Sequence, residues 1–380
     1  VCAYKILENP LSASLCTTPK PCLSLVLIAK NEATCIARCL DSARGLADEL
    51  IVVDTGSEDE TVSIATNCGA RVLHFDWCDD FSAARNAGLE AARGRWILVL
   101  DADEYLPEAS VSALMPLIHS SADRAYHLLN KSSSDGGKTG MVAKIIRLFP
   151  NRPEIRFEWP VHEQVASSLS RNGIPILDSA IKIIHTGYSS PVVNACKQVR
   201  NLQILEKTTS SVSHPHPMLL FLQGGALLDL GRISEAFDFY KRCSISPDAG
   251  SELTHGAVVR MCTCLAMLEK PEDILSLAPS SPTADWHPEL LLHIGTSLIQ
   301  TGRTKQGIEL LLQAMACQKK VLIPAYDPLQ IGARCMAEIA NGLEKNDLKS
   351  AISLLRLAAK SIQEGQEISL DEVRPLLQRA

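Results

Sequence analysis

The sequence predicts an α/β domain built on a mainly parallel sheet, followed by an all-α domain of paired helices. Two observations carry this. From residue 23 to residue 103, short β-rich apolar runs alternate with helix-like runs, the pattern of βαβ units. Beyond about Asn194 strand signals fade, and the chain reads as helices separated by Gly, Pro and polar turns. A length of 380 residues with 46% apolar content supports two cores. The expected units are an N-terminal extension over 1–22, the α/β domain over 23–193 and a helical repeat-like domain over 194–380.

The elements follow in order. Leu23–Ala29 is the first strand, because a short, nearly continuous apolar run suits a strand buried on both faces. A helix over about 33–43 leads to the strand Glu49–Asp54. Residues 58–68 form a helix with acidic groups near its positive end, and Arg71–Phe75 is the third strand. The Ala-Ala-Arg-Asn-Ala stretch makes 81–92 helical, and Gly94 stops it. The strand over 96–100 then runs straight into Asp101-Ala102-Asp103-Glu104, at the edge where open α/β sheets bind ligands. A helix over 111–118 precedes a Ser-, Gly- and Lys-rich connection over 130–140, which reads as a solvated loop or an acceptor-side lid. Strands are expected at 144–149, 155–159 and 181–184, the last leading to His185.

Helices are expected over 215–230, 234–243, 288–300, 305–316, 328–339 and 348–359. The turns Leu230-Gly231-Arg232 and Thr301-Gly302-Arg303 lie 71 residues apart, close to twice the roughly 34-residue tetratricopeptide period. Gly231, Ala236 and Pro247 match one such repeat, while Pro271 and the 279–283 region interrupt the middle. A plain helical bundle is the simpler alternative.

Composition excludes several classes. A formal charge of -6 disfavours nonspecific binding to nucleic acid or anionic membranes. The longest apolar runs are strand-sized, far from the roughly 20 residues of a transmembrane helix. No basic-then-apolar leader is read at the start of the chain. The 13 scattered cysteines, an odd number, suit reduced, packed thiols and a cytoplasmic location, and the Cys262–Cys264 spacing is too short for a zinc knuckle. Lys30-Asn31-Glu32 stands where a dinucleotide-binding turn would need glycines, and no Gly-Lys-Ser or Gly-Lys-Thr phosphate loop occurs. His162-Glu163 lacks the second histidine of a zinc protease helix.

What remains is Asp101 and Asp103 at one strand end, Asp54 and Ser57 at another, and His162-Glu163 further on. Two carboxylates one residue apart can hold a divalent cation against phosphate oxygens, offsetting charge on a nucleoside-diphosphate leaving group. Plainer roles compete: a cap in the strand-to-helix turn for Asp54, a helix start for Asn31 or Glu32, sheet-end hydrogen bonding or a solvated helix face for Arg85 and its neighbour Asn86, and packing for His162 and His185.

LVLIAKNE at 25–32, VVDTGSEDET at 52–61, HFDWCDDFSAARNAGL at 74–89 and WILVLDADE at 96–104 together resemble family 2 glycosyltransferases. The chain is similar to their bacterial subgroup with a C-terminal tetratricopeptide-like region, to which the sublancin peptide glycosyltransferase belongs. The catalytic resemblance covers about residues 23–190. It implies a GT-A fold and an inverting, metal-dependent transfer of sugar from a UDP-sugar, with UDP-glucose and UDP-N-acetylglucosamine as donors and Mn²⁺ or Mg²⁺ as the cation. Asn31 and Glu32 would line the nucleotide cleft, Asp54 would contact uracil or ribose, and Ser57 would shape the adjoining turn. Asp103 would bind the metal, and Asp101 would reach the ribose or a metal-bound water. Arg85 would organise the carboxylates or reach phosphate.

FEWPVHE at 157–163 resembles the subgroup's acceptor-side element, which makes Glu163 the leading general base, with Glu158 and Glu104 behind it. His185-Thr186-Gly187-Tyr188 resembles its His-x-Gly-Tyr element, so His185 would be a second metal or diphosphate contact. The segment between Asp103 and that element is shorter than in many larger members, which leaves the acceptor geometry open. The implied partners are the nucleotide sugar and a peptide, protein or glycan acceptor, with self-association through the helices as a further expectation. The competing reading is an inactive nucleotide-sugar-binding scaffold whose helical domain makes the main interaction.

Overall fold

The sheet is decided by which apolar runs are buried on both faces. The computed structural model describes residues 4–6, 22–132, 142–186, 191–279, 286–317, 328–343, 348–364 and 370–377. The chain divides into two compact units, Val1–Asn194 and Ala195–Ala380.

The first unit runs β1 (Tyr4–Ile6), β2 (Leu23–Ala29), α1 (Ile36–Ser42), β3 (Glu49–Asp54), α2 (Thr61–Asn67), β4 (Arg71–Phe75), α3 (Phe81–Ala91) and β5 (Trp96–Val99). It continues with β6 (Glu104–Tyr105), α4 (Glu108–Ile118), β7 (Ala125–Ser132), β8 (Val142–Pro150), α5 (Ala166–Arg171) and β9 (Ile176–His185). The nine strands form one sheet in the order β1-β4-β3-β2-β5-β8-β7-β9-β6. Strands β4, β3, β2 and β5 are parallel. Strand β8 runs antiparallel to β5, and β1, from the segment read as an extension, pairs antiparallel with β4.

Alternation sends neighbouring residues to opposite faces. Leu25, Leu27 and Leu98 pack with Ile36, Leu40 and Leu114 of α1 and α4. Val26, Val53 and Val99 pack with Ala84, Ala87 and Leu89 of α3. Helix α3 lies directly on the sheet at Gly88, where a Cβ would sit 2.5 Å from a Val26 methyl. That approach fixes α3 and the Arg85 it carries.

Two strand expectations change. Residues 155–159 form no strand, because the Asn86 side-chain amide takes both backbone groups of Phe157 and replaces a ladder partner. The final strand is longer than 181–184, since pairing with β7 extends it back to Ile176. The loop expected over 130–140 lies outside the described residues beyond Ser132.

In the second region, α6 (Pro191–Ser210) begins just before the division and is followed by α7 (Pro217–Asp229), α8 (Ile233–Ser244), α9 (Ser251–Met267) and α10 (Pro271–Ser276). Then come α11 (Pro288–Gln300), α12 (Thr304–Ala316), α13 (Pro328–Leu343), α14 (Leu348–Glu364) and α15 (Leu370–Leu377). Helices α6, α9, α10 and α15 were not read from the sequence. Three hairpin turns share one geometry: Gly231, Glu269 and Gly302 have φ of 75°, 55° and 84°. The next N–H, from Arg232, Lys270 or Arg303, donates to a carbonyl five residues back, at 2.9, 3.0 and 2.7 Å. Glu269 is the middle turn that the glycine pattern hides. Seven residues before and five after each turn stand Gly224 and Ala236, Cys262 and Ile274, or Gly295 and Gly307, so the repeat is spatial even where its residues differ. Among the described residues, no helix is long and apolar enough to cross a membrane.

The close approach at Gly88 is testable by thermal or denaturant unfolding. Replacing Gly88 with Ala is expected to destabilise the protein by about 1–3 kcal/mol through overpacking. The double variant Val26→Ala/Gly88→Ala should lose less than the sum of the single losses, whereas strict additivity would remove the contact as the cause.

Candidate active site

The chain passes from β2 to β3 and β4 on one side, then returns to β5 on the other side of β2, so the carboxyl ends of β2 and β5 flank a topological switch point. Short turns build that edge. Asn31, at φ 57°, donates its N–H to Ser57 Oγ (3.0 Å) and accepts at Oδ1 from the Glu58 N–H (2.8 Å). The Glu32 N–H donates to Thr61 Oγ1 at 2.7 Å, while Glu32 Oε2 accepts from Cys35 Sγ at 3.0 Å. Asp54 is buried at 3% exposure, and its carboxylate accepts from the Gly56 and Ser57 amides and lies 3.4 Å from His74 Nδ1. Asn31, Glu32, Asp54 and Ser57 therefore come together as one interlocked pair of turns.

A second set surrounds the β5 exit. Arg85, 7% exposed, donates from Nε to Glu163 Oε1 at 2.6 Å and from a terminal nitrogen to Asp101 Oδ1 at 2.7 Å. Arg147 on β8 donates to Asp101 Oδ2 at 2.6 Å and to Glu104 Oε1 at 3.0 Å. Glu104, 1% exposed, also accepts from the Asp101 N–H at 2.9 Å and from the Asn130 amide. Both oxygens of Asp101, expected to reach a ribose or a metal-bound water, are thus held by guanidinium groups. Burial pushes the Asp101 carboxyl up, but Arg147 and Arg85 outweigh it and hold the group well below its ordinary range. Glu104 is shifted upward, first by burial and then by the Asp101 charge.

Asp103 diverges from Asp101. Its Oδ2 lies 3.0 Å from His185 Nε2, and its carbonyl accepts from the Thr186 N–H at 3.0 Å and the Thr186 hydroxyl at 2.9 Å. The β6–β9 register, which pairs Glu104 with His185, sets this approach. The hydrogen bond to Asp103 raises the His185 pKa, against burial. Asp103 and His185 fit a divalent cation, since neighbouring octahedral ligands about 2.1 Å from a metal stand about 3.0 Å apart. Among the described residues no group of three His, Cys, Asp or Glu forms a cation cage. Gly187 and Tyr188 lie outside the described residues.

Glu163 follows a sharply turned segment: Trp159 and His162 have φ of 78° and 54°. Phe81 donates its N–H to the Pro160 carbonyl at 2.9 Å, and Asn86 clamps Phe157. Glu163 Oε2 receives no hydrogen bond among the described residues, and the side chain is 14% exposed. Glu158 pairs with Arg171, and Glu104 is enclosed, so neither of the other base candidates matches it. His162 is exposed.

Arg147 was missed as a site residue, and Asn86, next to Arg85, was read only as a hydrogen-bonding or solvated helix position. A lone arginine within the apolar run Ile-Ile-Arg-Leu-Phe was the available signal for the first, and only the adjacency to Arg85 hinted at the second.

Arg147→Met, which leaves Asp101 and Glu104 without that partner, should cost about 3–5 kcal/mol in denaturant unfolding. Asp101 has a depressed folded pKa, so its stabilisation is complete above its ordinary value of 3.8 and lost as pH falls through the folded value. Asp101→Asn should therefore be clearly less stable than wild type at about pH 7, with the gap narrowing toward about pH 2.5. A gap independent of pH would exclude charge as its origin.

Residues 24–170 match the model of Glycosyl transferase family 2. Over 147 residues the chain is 47% identical to a TPR repeat-containing protein of Synechococcus elongatus, covering 39% of this chain and 36% of that protein. Over 254 residues it is 27% identical to the SPbeta prophage-derived glycosyltransferase SunS of Bacillus subtilis, covering 64% of this chain and 59% of that one. The chain therefore spans less than two thirds of either relative's length. A solved glucosyl-3-phosphoglycerate synthase from Mycobacterium tuberculosis, in complex with Mn²⁺, uridine diphosphate and phosphoglyceric acid, is 21% identical, covering 48% of this chain and 77% of that one with a TM-score of 0.34. Residues 24–170 are therefore similar to glycosyltransferase family 2, and an all-α region follows them along the chain.

Proposed function

We propose that the protein is an inverting, metal-dependent glycosyltransferase that moves a sugar from a UDP-sugar to a peptide, protein or glycan acceptor. The observation that carries this reading is the separation of roles along four residues. Asp101 is consumed by two arginines, while Asp103 and His185 stand 3.0 Å apart and partly exposed at the same sheet edge. The family similarity and the motif resemblance supply the UDP-sugar expectation.

The turns carrying Asn31, Glu32, Asp54 and Ser57 would hold the nucleoside. Asp103 and His185 would hold Mn²⁺ or Mg²⁺, and that cation would supply charge neutralisation for the diphosphate. Glu163 Oε2 would accept the proton of the acceptor heteroatom as that atom bonds to the anomeric carbon and the bond from that carbon to the diphosphate oxygen breaks. Arg85 keeps the base carboxylate oriented through its Nε. Direct displacement needs one base and no covalent intermediate, a role that Glu163 would fill. The helical region would present the acceptor, as stacked helical repeats offer an extended face. A cytoplasmic location belongs to the same proposal.

The test is UDP release from a panel of UDP-sugars with and without Mn²⁺. Wild type should release UDP from one donor in a cation-dependent way, and folded Asp103→Ala should lose that dependence. Undiminished cation-dependent release by the variant would exclude Asp103 as a ligand. With a verified acceptor, Glu163→Gln should lower kcat by about 10²–10⁴-fold with donor affinity retained. Donor binding without turnover across a broad acceptor panel would favour the scaffold reading instead.

A further inference from the structure

Among the described residues no hydrogen bond or ion pair joins Glu163 to the Asp103–His185 pair, yet four ion pairs and one backbone strand pairing run from one to the other. Glu163 meets Arg85 at 2.6 Å, Arg85 meets Asp101 at 2.7 Å, and Asp101 meets Arg147 at 2.6 Å. Arg147 meets Glu104 at 3.0 Å, and Glu104 pairs through its backbone with His185. The members come from α3, the β5 exit, β6, β8 and the segment before α5, so no single element holds the geometry. Arg85, Arg147 and Glu104 have side chains only 8%, 12% and 1% exposed, and charges so enclosed are held by their partners rather than by water.

We propose that Arg147, acting through Asp101 and Arg85, is a positioning residue that sets the candidate base Glu163 relative to Asp103 and His185. This rests on the transferase reading above. Asp101 then works as the anchor between two guanidinium groups rather than as a ligand contact. The two arginines are joined differently. Arg85 uses Nε and a terminal nitrogen on two separate carboxylates, a fork that lysine cannot reproduce. Arg147 reaches both of its carboxylates from one terminal nitrogen, a contact that a lysine ammonium can approximate.

The experiment compares Arg147→Lys, Arg147→Met and Arg85→Lys with wild type, using the UDP-sugar that wild type turns over with Mn²⁺. Arg147→Met is expected to lose on the order of 10- to 100-fold in kcat with donor KM within about threefold, and Arg147→Lys to recover most of that loss. Arg85→Lys should recover little. Wild-type kcat in Arg147→Met, or a loss confined to KM, overturns the positioning role. Unfolding midpoints for Glu163→Gln, Arg147→Lys and their double variant provide a readout independent of turnover. Non-additive shifts between these two non-touching residues support the strut, and additive shifts overturn it. A wild type that turns over no UDP-sugar defeats the transferase reading alone, leaving the midpoints to decide the strut.

Discussion

The Asp101 carboxylate, held between Arg85 and Arg147, is the contact on which the candidate site depends. A carboxylate at a sheet edge would ordinarily turn to water or to a cation. Two guanidinium groups from different elements instead consume both of its oxygens and make it a joint. Asp101 itself is 36% exposed, but its partners Arg85 and Arg147 are 8% and 12% exposed, so removing the carboxylate would leave their charges enclosed with less compensation. The joint also explains the division of labour within Asp101-Ala102-Asp103-Glu104. Asp101 ties the exit of β5 to α3 and β8, Glu104 closes the tie from below, and Asp103 is left to meet His185.

The central sheet supplies the rigidity that this joint needs. Strands β2, β3 and β5 are buried on both faces, so their ends do not drift, and the turns after β2 and β3 are cross-linked by side chains on backbone amides. Asp54 shows how the two readings of a residue merge. It accepts turn amides, as a cap would, and the turn it orders is the one proposed to hold the nucleoside. A residue in such a turn reaches ligand through the loop it orders as much as through its own oxygens.

Much of this was legible in the sequence because it is local. Each strand of the parallel half is a short apolar run, and the carboxylates stand immediately after such runs. What was not legible depends on contacts between distant residues. Arg147 became visible only once β8 was placed against β5, 46 residues from the Asp101 it binds. The strand expected over 155–159 failed because Asn86, 71 residues away, supplies the hydrogen bonds a neighbouring strand would have offered. In the helical region Glu269 takes the left-handed turn position that glycine fills elsewhere, so a search for glycine skips one repeat in the middle.

The spacing within the strut limits what kind of transfer the site can perform. Glu163 is tethered by one oxygen to Arg85, which suits the proposed base better than a covalent nucleophile that would have to swing. Arg85 is in turn fixed by Asp101 and by the approach of α3 to β2 at Gly88. A base that cannot wander is useful only if the acceptor is delivered to it, and nothing in the strut recognises an acceptor. In the proposed transfer, recognition would come from outside the joint, from the turn carrying Trp159 and His162. The proposed chemistry would then serve different acceptors by changing that turn while the carboxylate–guanidinium core stays in place.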